Sequence, residues 1–445
     1  MKIKRLVSLA LATLLVFGLM AAGIAEDQIQ LRVLNYRDMT SPNSIEETSV
    51  VWDAFEAAYP NIKLVREDEF NEPFHQATEA YAAVGNLPDV IFAWPSGRST
   101  TLHTQKLLKD LAPLAERDGL AEFYLPLVLE PGNQVAGYLG ILSTGVTATN
   151  AFFVNTEVLD AVGLTPAQSY SELVAQVPVL AAAGYDTVLM PCQDDWVMQS
   201  CLFSLVAGRF MGENWEQGIL SGERKFTDPD FVAALNFIKQ MYDDGVLLQS
   251  TLAVGYGEGP GLFATNTAAY YIDGDWRMGA FITDTTTGEA LIDPARQENF
   301  LITVFPDIDV PGVKINKSNT AVLATGFGIN AKLEDGSPEL EAAWTLVKWL
   351  VGKEVLTHRL STGGLPTPSR LDIDYASLTL EPMQIAMANL GGEYDKTTVV
   401  FDGAFEGPVY TPLNEGLQAI GLGTQTPEEV AQNTQAAFDA WNAAK

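Results

Sequence analysis

The chain has 445 residues, 47% of them hydrophobic and 18% charged, with 56 Asp and Glu against 26 Lys and Arg for a formal charge of −30. A field of that sign repels phosphate backbones and anionic headgroups, which argues against nucleic acid and charged membrane surfaces as partners. Three histidines (His75, His103, His358) and two cysteines (Cys192, Cys201) occur, none paired at i,i+3 or i,i+4, so no zinc site, other metal or cofactor is expected.

The first residues carry Lys2, Lys4 and Arg5, then an apolar run over 6–22, then Ala21-Ala22-Gly23-Ile24-Ala25 before Glu26. Basic, apolar and small-residue stretches in that order predict a cleavable export signal over residues 1–25. No cysteine stands near the end of the apolar run, so a lipid-linked cysteine is not expected and a soluble periplasmic protein is. Removing the signal leaves 23 basic against 56 acidic side chains, a formal −33. About 420 residues exceed what one core usually holds, so two lobes are expected.

In chain order, residues 29–34 alternate like a strand. Ser44-x-x-Glu47 resembles a capping box before the helical set Val51, Ala54, Phe55 and Ala58, which Pro60-Asn61 stops. A strand at 62–65, a helix over 76–84 and an apolar strand at 90–93 complete a β-α-β-α-β series, the pattern of a parallel sheet covered by helices. Strands follow at 135–142 and 152–154, a helix opened by Ser169-x-x-Glu172 and running to 183, and a strand at 187–190. Asp228-Pro229 opens a helix carrying Phe231, Leu235, Ile238 and Met241 that ends at Gly245. The Gly-rich run 255–261 lacks the Lys-Ser/Thr of a P-loop and the G-x-G-x-x-G spacing, so it reads as a turn or cleft-lining loop. Strands are expected at 268–272 and 300–304. Ser337-Pro338 starts an amphipathic helix with Leu340, Ala343, Trp344, Val347 and Val351 on one face, and Thr426-Pro427-Glu428-Glu429 opens the last helix, with Val430, Ala437, Phe438 and Trp441 as its stripe.

Six phrases in order carry a resemblance: 55–64 (FEAAYPNIKL), 87–91 (LPDVI), 152–159 (FFVNTEVL) with Gly163-Leu164, Asp273-Gly274-Asp275-Trp276, Gly326-Phe327-Gly328-Ile329-Asn330 before the Ala342-Ala343-Trp344 helix, and Gly364-Leu365-Pro366. Together the chain resembles the family 1 extracellular solute-binding proteins of ABC importers, the maltose-binding-protein type. It departs from the family at 266–270 and 140–145, both near where ligand would lie. The resemblance implies a periplasmic-binding-protein-like α/β fold of two lobes joined by a three-segment, type II-like hinge. The first lobe would comprise 27–143 plus 326–366 and the second 147–322 plus 370–445, with crossings near 143–146, 323–326 and 365–369. It further implies a monomer that closes on a solute and delivers it to the membrane permease subunits of an ABC transporter.

A neutral sugar needs planar rings to stack on and polar groups for its hydroxyls, best placed at strand ends where open α/β sheets bind ligands. Trp94 follows the strand at 90–93. Asp275 and Trp276 follow that at 268–272, and Asp194, Asp195 and Trp196 that at 187–190. Arg37 and Asp38 follow the first strand and Glu69 the second, while Phe327, Gly364 and Asp402 enter by resemblance or position. Trp52, Trp344, Trp349 and Trp441 stand at helical spacing with apolar neighbours and read as core. The expected ligand is a mono- or oligosaccharide, with a polyamine, peptide or other small solute on the same fold as the alternative. A secreted glycoside hydrolase or lyase is more distant, because 56 carboxylates always offer a pair and no G-x-S-x-G elbow is present, so no catalytic residue is assigned. For Cys192 and Cys201, a local disulfide and two buried thiols remain open alternatives.

Overall fold

The computed structural model describes residues 28–365 and 367–444; the export signal expected at 1–25 lies outside them. Among the described residues thirteen strands form three sheets: β1 (Ile29–Tyr36), β2 (Ile62–Glu69), β3 (Val90–Ala93), β4 (Ile141–Ser143), β5 (Gly145–Ala148), β6 (Ala151–Asn155), β7 (Asp186–Leu189), β8 (Ala268–Asp273), β9 (Phe300–Thr303), β10 (Ser318–Leu323), β11 (Gly326–Ile329), β12 (Thr367–Pro368) and β13 (Lys396–Thr398). The first sheet runs β2-β1-β3-β11-β4, the second β12-β5-β10-β13 and the third β7-β8-β6-β9. β1 lies parallel to both β2 and β3, Ile29 opposite Ile62 and Val33 opposite Val90, as the alternating pattern requires. β11 closes that sheet antiparallel to β3 and β4.

Two α/β lobes result, one on the first sheet and one on the third, with the second sheet between them. The chain leaves β4 for β5 across Thr144 and leaves β10 for β11 across Ala324 and Thr325. Backbone hydrogen bonds tie these passages together: Thr144 N–H to Thr325 O (2.9 Å), Ala324 N–H to Gly145 O (2.8 Å) and Ser369 N–H to Thr144 O (2.7 Å).

The helices α1 (Glu72–Ala83), α2 (Tyr170–Ala183), α3 (Pro229–Asp243), α4 (Pro338–Leu350), α5 (Gly407–Leu422) and α6 (Pro427–Ala443) cover the sheets. Ser337 caps α4 by accepting from Leu340 N–H at 3.1 Å, a contact worth about 1 kcal/mol. The helix buries Leu340, Ala343, Trp344 and Val347 against the core of the first lobe, where Trp52 also lies. Thr426 and Glu429 form the reciprocal capping box of α6, whose Phe438 enters the core of the second lobe. Trp349 and Trp441 pack at the margins of the two cores.

Three local expectations change. Ser44 is the first residue of its helix rather than its cap, because Arg37 and Arg359 recruit Glu47 (2.8 and 3.0 Å) away from the backbone. Residues 135–140 are turns, not strand. Ala136 and Gly137 adopt positive φ, and the buried Gln134 side chain accepts from Gly140 and Ile141 N–H and donates to Ile141 O, replacing ladder bonds. The helix expected from 76 begins at Glu72, with Asn71 as its N-cap and Pro73 in its first turn.

Candidate functional site

The carboxyl ends of β1, β3 and β8 and the passages between the lobes surround a cavity of about 390 Å³. Its wall in the first lobe is aromatic. Tyr36 at the end of β1 stacks on Phe92 (5.4 Å between ring centroids, 18°) and meets Trp94 (5.2 Å) and Phe74 (5.2 Å) edge-on. Phe70 lies 5.1 Å from Tyr36 and His75 5.1 Å from Trp94. Trp94 is set by its backbone: its N–H donates to Ser99 Oγ (3.0 Å), and its carbonyl lies 2.9 Å from His103 Nε2. Burial, with the nearby Arg98 cation, pushes His75 down to about 3, so it is neutral near pH 7 and its Nε2 can accept from Arg98 Nη1 at 3.4 Å. Burial pushes the Tyr36 hydroxyl up to about 12.

The wall of the second lobe is instead wired by polar contacts. Trp276 Nε1 donates to Tyr256 Oη at 2.6 Å, and Tyr256 Oη reaches Asp273 Oδ1 at 3.3 Å. The fully buried Asp273 also accepts from Tyr271 Oη (2.7 Å), Gly274 N–H (2.8 Å) and Arg277 Nε (2.8 Å), and the Arg277 guanidinium lies 3.8 Å over the Tyr256 ring. Gly274 is required here because any Cβ would overlap the Trp276 indole. Asp275, 4% exposed, accepts from Thr147 Oγ1 (2.5 Å) and Ala148 N–H (2.6 Å), pinning the Trp276 turn to β5. Burial nonetheless pushes its carboxyl up to about 7. Trp196 completes this wall, 4.8 Å from Tyr256 and 6.3 Å from Trp276, and its buried Nε1 has no hydrogen-bond partner among the described residues.

Three of the polar contacts that join the lobes lie around the cavity, where Gly363 also comes close to Gly279 and Ile282. Asn43 donates from its N–H to Asp284 (2.9 Å) and accepts at Oδ1 from Thr285 N–H and Oγ1 (2.8 and 2.7 Å); Thr285 also hydrogen-bonds Glu46. Asn71 Nδ2 donates to Asp194 Oδ1 (2.8 Å). Arg98 pairs with Asp402 (3.4 Å), and Gly97 lies so near that a Cβ there would overlap the Asp402 carbonyl oxygen.

Of the residues singled out from sequence, Arg37, Asp38, Trp94, Trp196, Asp275, Trp276, Gly364 and Asp402 line the cavity together. Asp194 does not; it is held by Asn71 and by Tyr256 N–H (3.1 Å). Asp195 is at the head of the following helix, its carboxyl raised by burial. Glu69 ends β2 outside the lining, its carbonyl accepting from Arg37 N–H (2.9 Å). Phe327 is fully buried in the core between Trp52 and Phe92. Cys192 and Cys201 are two buried free thiols, not a disulfide: Cys192 is held in the turn after β7, while Cys201 Sγ points to Asp273 Oδ1 (3.9 Å). Sequence reasoning missed Tyr36, Phe70, His75, Arg98, Tyr256 and Arg277. The signals were close by, since Tyr256 belongs to the Gly-rich loop and Arg277 follows Trp276.

Comparisons with known proteins show the family and the fold. The family model described as bacterial extracellular solute-binding protein matches residues 51–377. No curated protein matches in sequence. Among solved structures, one described under xylan utilization by the thermophilic bacterium Caldanaerobius polysaccharolyticus superposes with a TM-score of 0.80 at 19% identity, covering 92% of this chain and 99% of that one. A chitin oligosaccharide binding protein gives 0.80 at 20% identity (94% and 100% covered), and the maltose-bound MalE3 of T. maritima 0.72 at 18% (93% and 100%).

Proposed function

This chain belongs to the bacterial extracellular solute-binding proteins, and we propose that the solute it captures is a carbohydrate. The observation that carries the reading is the pairing of two aromatic walls, Tyr36 and Trp94 on one lobe and Trp196 and Trp276 on the other, across a single cavity. Sugar rings present C–H faces that stack on such surfaces, while the Trp196 Nε1 donor and the threonine hydroxyls offer partners to sugar hydroxyls. The similar structures described with xylan utilization, chitin oligosaccharide and maltose point the same way.

Charge argues against a polyamine. The cavity is lined by four arginines (Arg37, Arg98, Arg277, Arg359) and four carboxylates (Asp38, Glu47, Asp275, Asp402), so the acidity of the whole chain is not concentrated there. Glu47 is paired with Arg37 and Arg359, Asp402 with Arg98, and Asp275 with Thr147 and Ala148, which leaves little to neutralise a cationic ligand. The same engagement argues for capture without catalysis, since a glycosidase needs two carboxyls free to act on the scissile bond.

The role that follows is that of an exported, soluble monomer in the periplasm. Lobes 27–143 plus 326–366 and 147–322 plus 370–445, hinged near 143–146, 323–326 and 365–369, close on the sugar and present it to the permease of an ABC importer. Among the described residues no helix is long and apolar enough to cross a membrane. A thermal-shift screen against saccharides and polyamines tests the reading. A sugar that binds the folded state raises Tm by mass action; a shift with spermidine and none with any sugar would sink the carbohydrate assignment.

A further inference from the structure

The rim of the cavity restricts ligand length, an inference that rests on the carbohydrate reading above. The three lobe-to-lobe contacts are continuous with the lining: Asn43 adjoins the lining residue Pro42, Asn71 lines the cavity itself, and Gly97 stands between the lining residues Ser96 and Arg98. The passages between the lobes, at Thr144, Leu323–Thr325 and Gly364–Leu365, bound the cavity as well. Asn43 is 2% exposed and uses its backbone N–H and its side-chain carbonyl on the opposite lobe, so this contact is a packed joint rather than a loose surface touch. A saccharide extending beyond the cavity has to part at least one of these joints.

Volume gives the same limit. At about 390 Å³ the cavity stands near the lower end of the roughly 300–1,000 Å³ typical of small-molecule sites. A site of that size suits one or two sugar rings. The charge balance of the lining adds that the sugar is uncharged. We infer that this protein encloses a neutral saccharide of one or two rings whole, instead of gripping one stretch of a longer chain.

The test is titration calorimetry of the purified protein with three length series: xylose, xylobiose and xylotetraose; glucose, maltose and maltotetraose; N-acetylglucosamine, its dimer and its tetramer. The expected result is binding of a one- or two-ring member in at least one series, with the four-ring member of that series weaker by about 100-fold or more, the loss expected when two or three rim hydrogen bonds must part. A four-ring member that binds as tightly as its shorter relatives overturns the length limit and leaves the carbohydrate reading standing. Silence across all nine sugars overturns both.

Discussion

The two walls of the cavity achieve the same flatness by opposite means. In the first lobe Tyr36, Phe70, Phe74, His75, Phe92 and Trp94 support one another through ring contacts, and their positions follow from packing. In the second lobe Trp276 is fixed by a chain of hydrogen bonds through Tyr256 to a buried Asp273–Arg277 ion pair. Packed rings yield gradually when one is trimmed, whereas a buried polar network fails when any member is left unpaired. Substitutions within that network are therefore expected to be the costlier ones.

The largest effect should come from Asp273→Ala. It strands the Arg277 guanidinium, 11% exposed in its side chain, without its carboxylate, and breaking a buried pair from one side costs about 3–5 kcal/mol. Denaturant unfolding of the second lobe should register this directly. A midpoint that barely moves would mean the network is decorative and the contrast between walls is wrong. Trp276→Ala comes next: it leaves the core intact but removes the stacking face, so the ligand-induced thermal shift should vanish while the unliganded protein stays folded. A loss of at least 2 kcal/mol, about 30-fold in Kd, is expected of a central aromatic anchor. An unchanged shift would remove Trp276 from the site.

The walls should also differ in the sign of their pH response. Burial raises Asp275 to about 7, so the folded state holds a proton that the unfolded chain has released. Its contribution to stability is complete below about pH 4 and lost as pH rises to about 7. Burial lowers His75 to about 3, so its contribution is complete above about pH 6.5 and lost as pH falls toward 3. Asp275→Asn should flatten the first slope and stabilise the protein at pH 8 by on the order of 2 kcal/mol, allowing for imperfect replacement of the Thr147 and Ala148 bonds. Tm profiles of wild type, Asp275→Asn and His75→Phe from pH 4 to 8 separate the two. The comparison breaks if both variants change the profile in the same direction.

How much of this was legible in the sequence depends on where each group finds its partner. β1, β2 and β3 could be read because their apolar alternation and flanking turns are local. β10 could not: it opens with Ser318, Asn319 and Thr320, all fully buried and polar, so no apolar alternation marks it, and only the fold brings Asn150 O and Thr149 to satisfy Asn319 and Thr320. The helix Ser204–Met211 is buried all round and gives no stripe, and α5 carries Pro412 within it, a residue that normally marks an end. In the site, Trp94 and Trp276 were findable because they stand one and three residues after strands, and Trp196 because it follows the next turn beyond β7. The pairing of Tyr256 with Trp276, twenty residues apart, and of Asp194 with Asn71 in the other lobe is set by tertiary structure, so a carboxylate that reads as a ligand contact turned out to be a clasp.

The smallest effect expected is the most discriminating, because it separates the ring of Trp196 from its nitrogen. Trp196 packs edge-on to Tyr256, yet its buried Nε1 donates to nothing among the described residues. An unsatisfied buried donor costs stability, so Trp196→Phe should leave the unliganded protein as stable as wild type or slightly more so. If the nitrogen serves a sugar hydroxyl, the same substitution should weaken binding by about 0.5–1.5 kcal/mol, or roughly 2- to 12-fold in Kd. Calorimetry against melting temperature reads the two apart. Affinity that falls while Tm holds assigns the donor to the ligand, whereas affinity that holds while Tm rises would make Trp196 a packing residue and leave Trp276 as the polar-anchored face of the second wall.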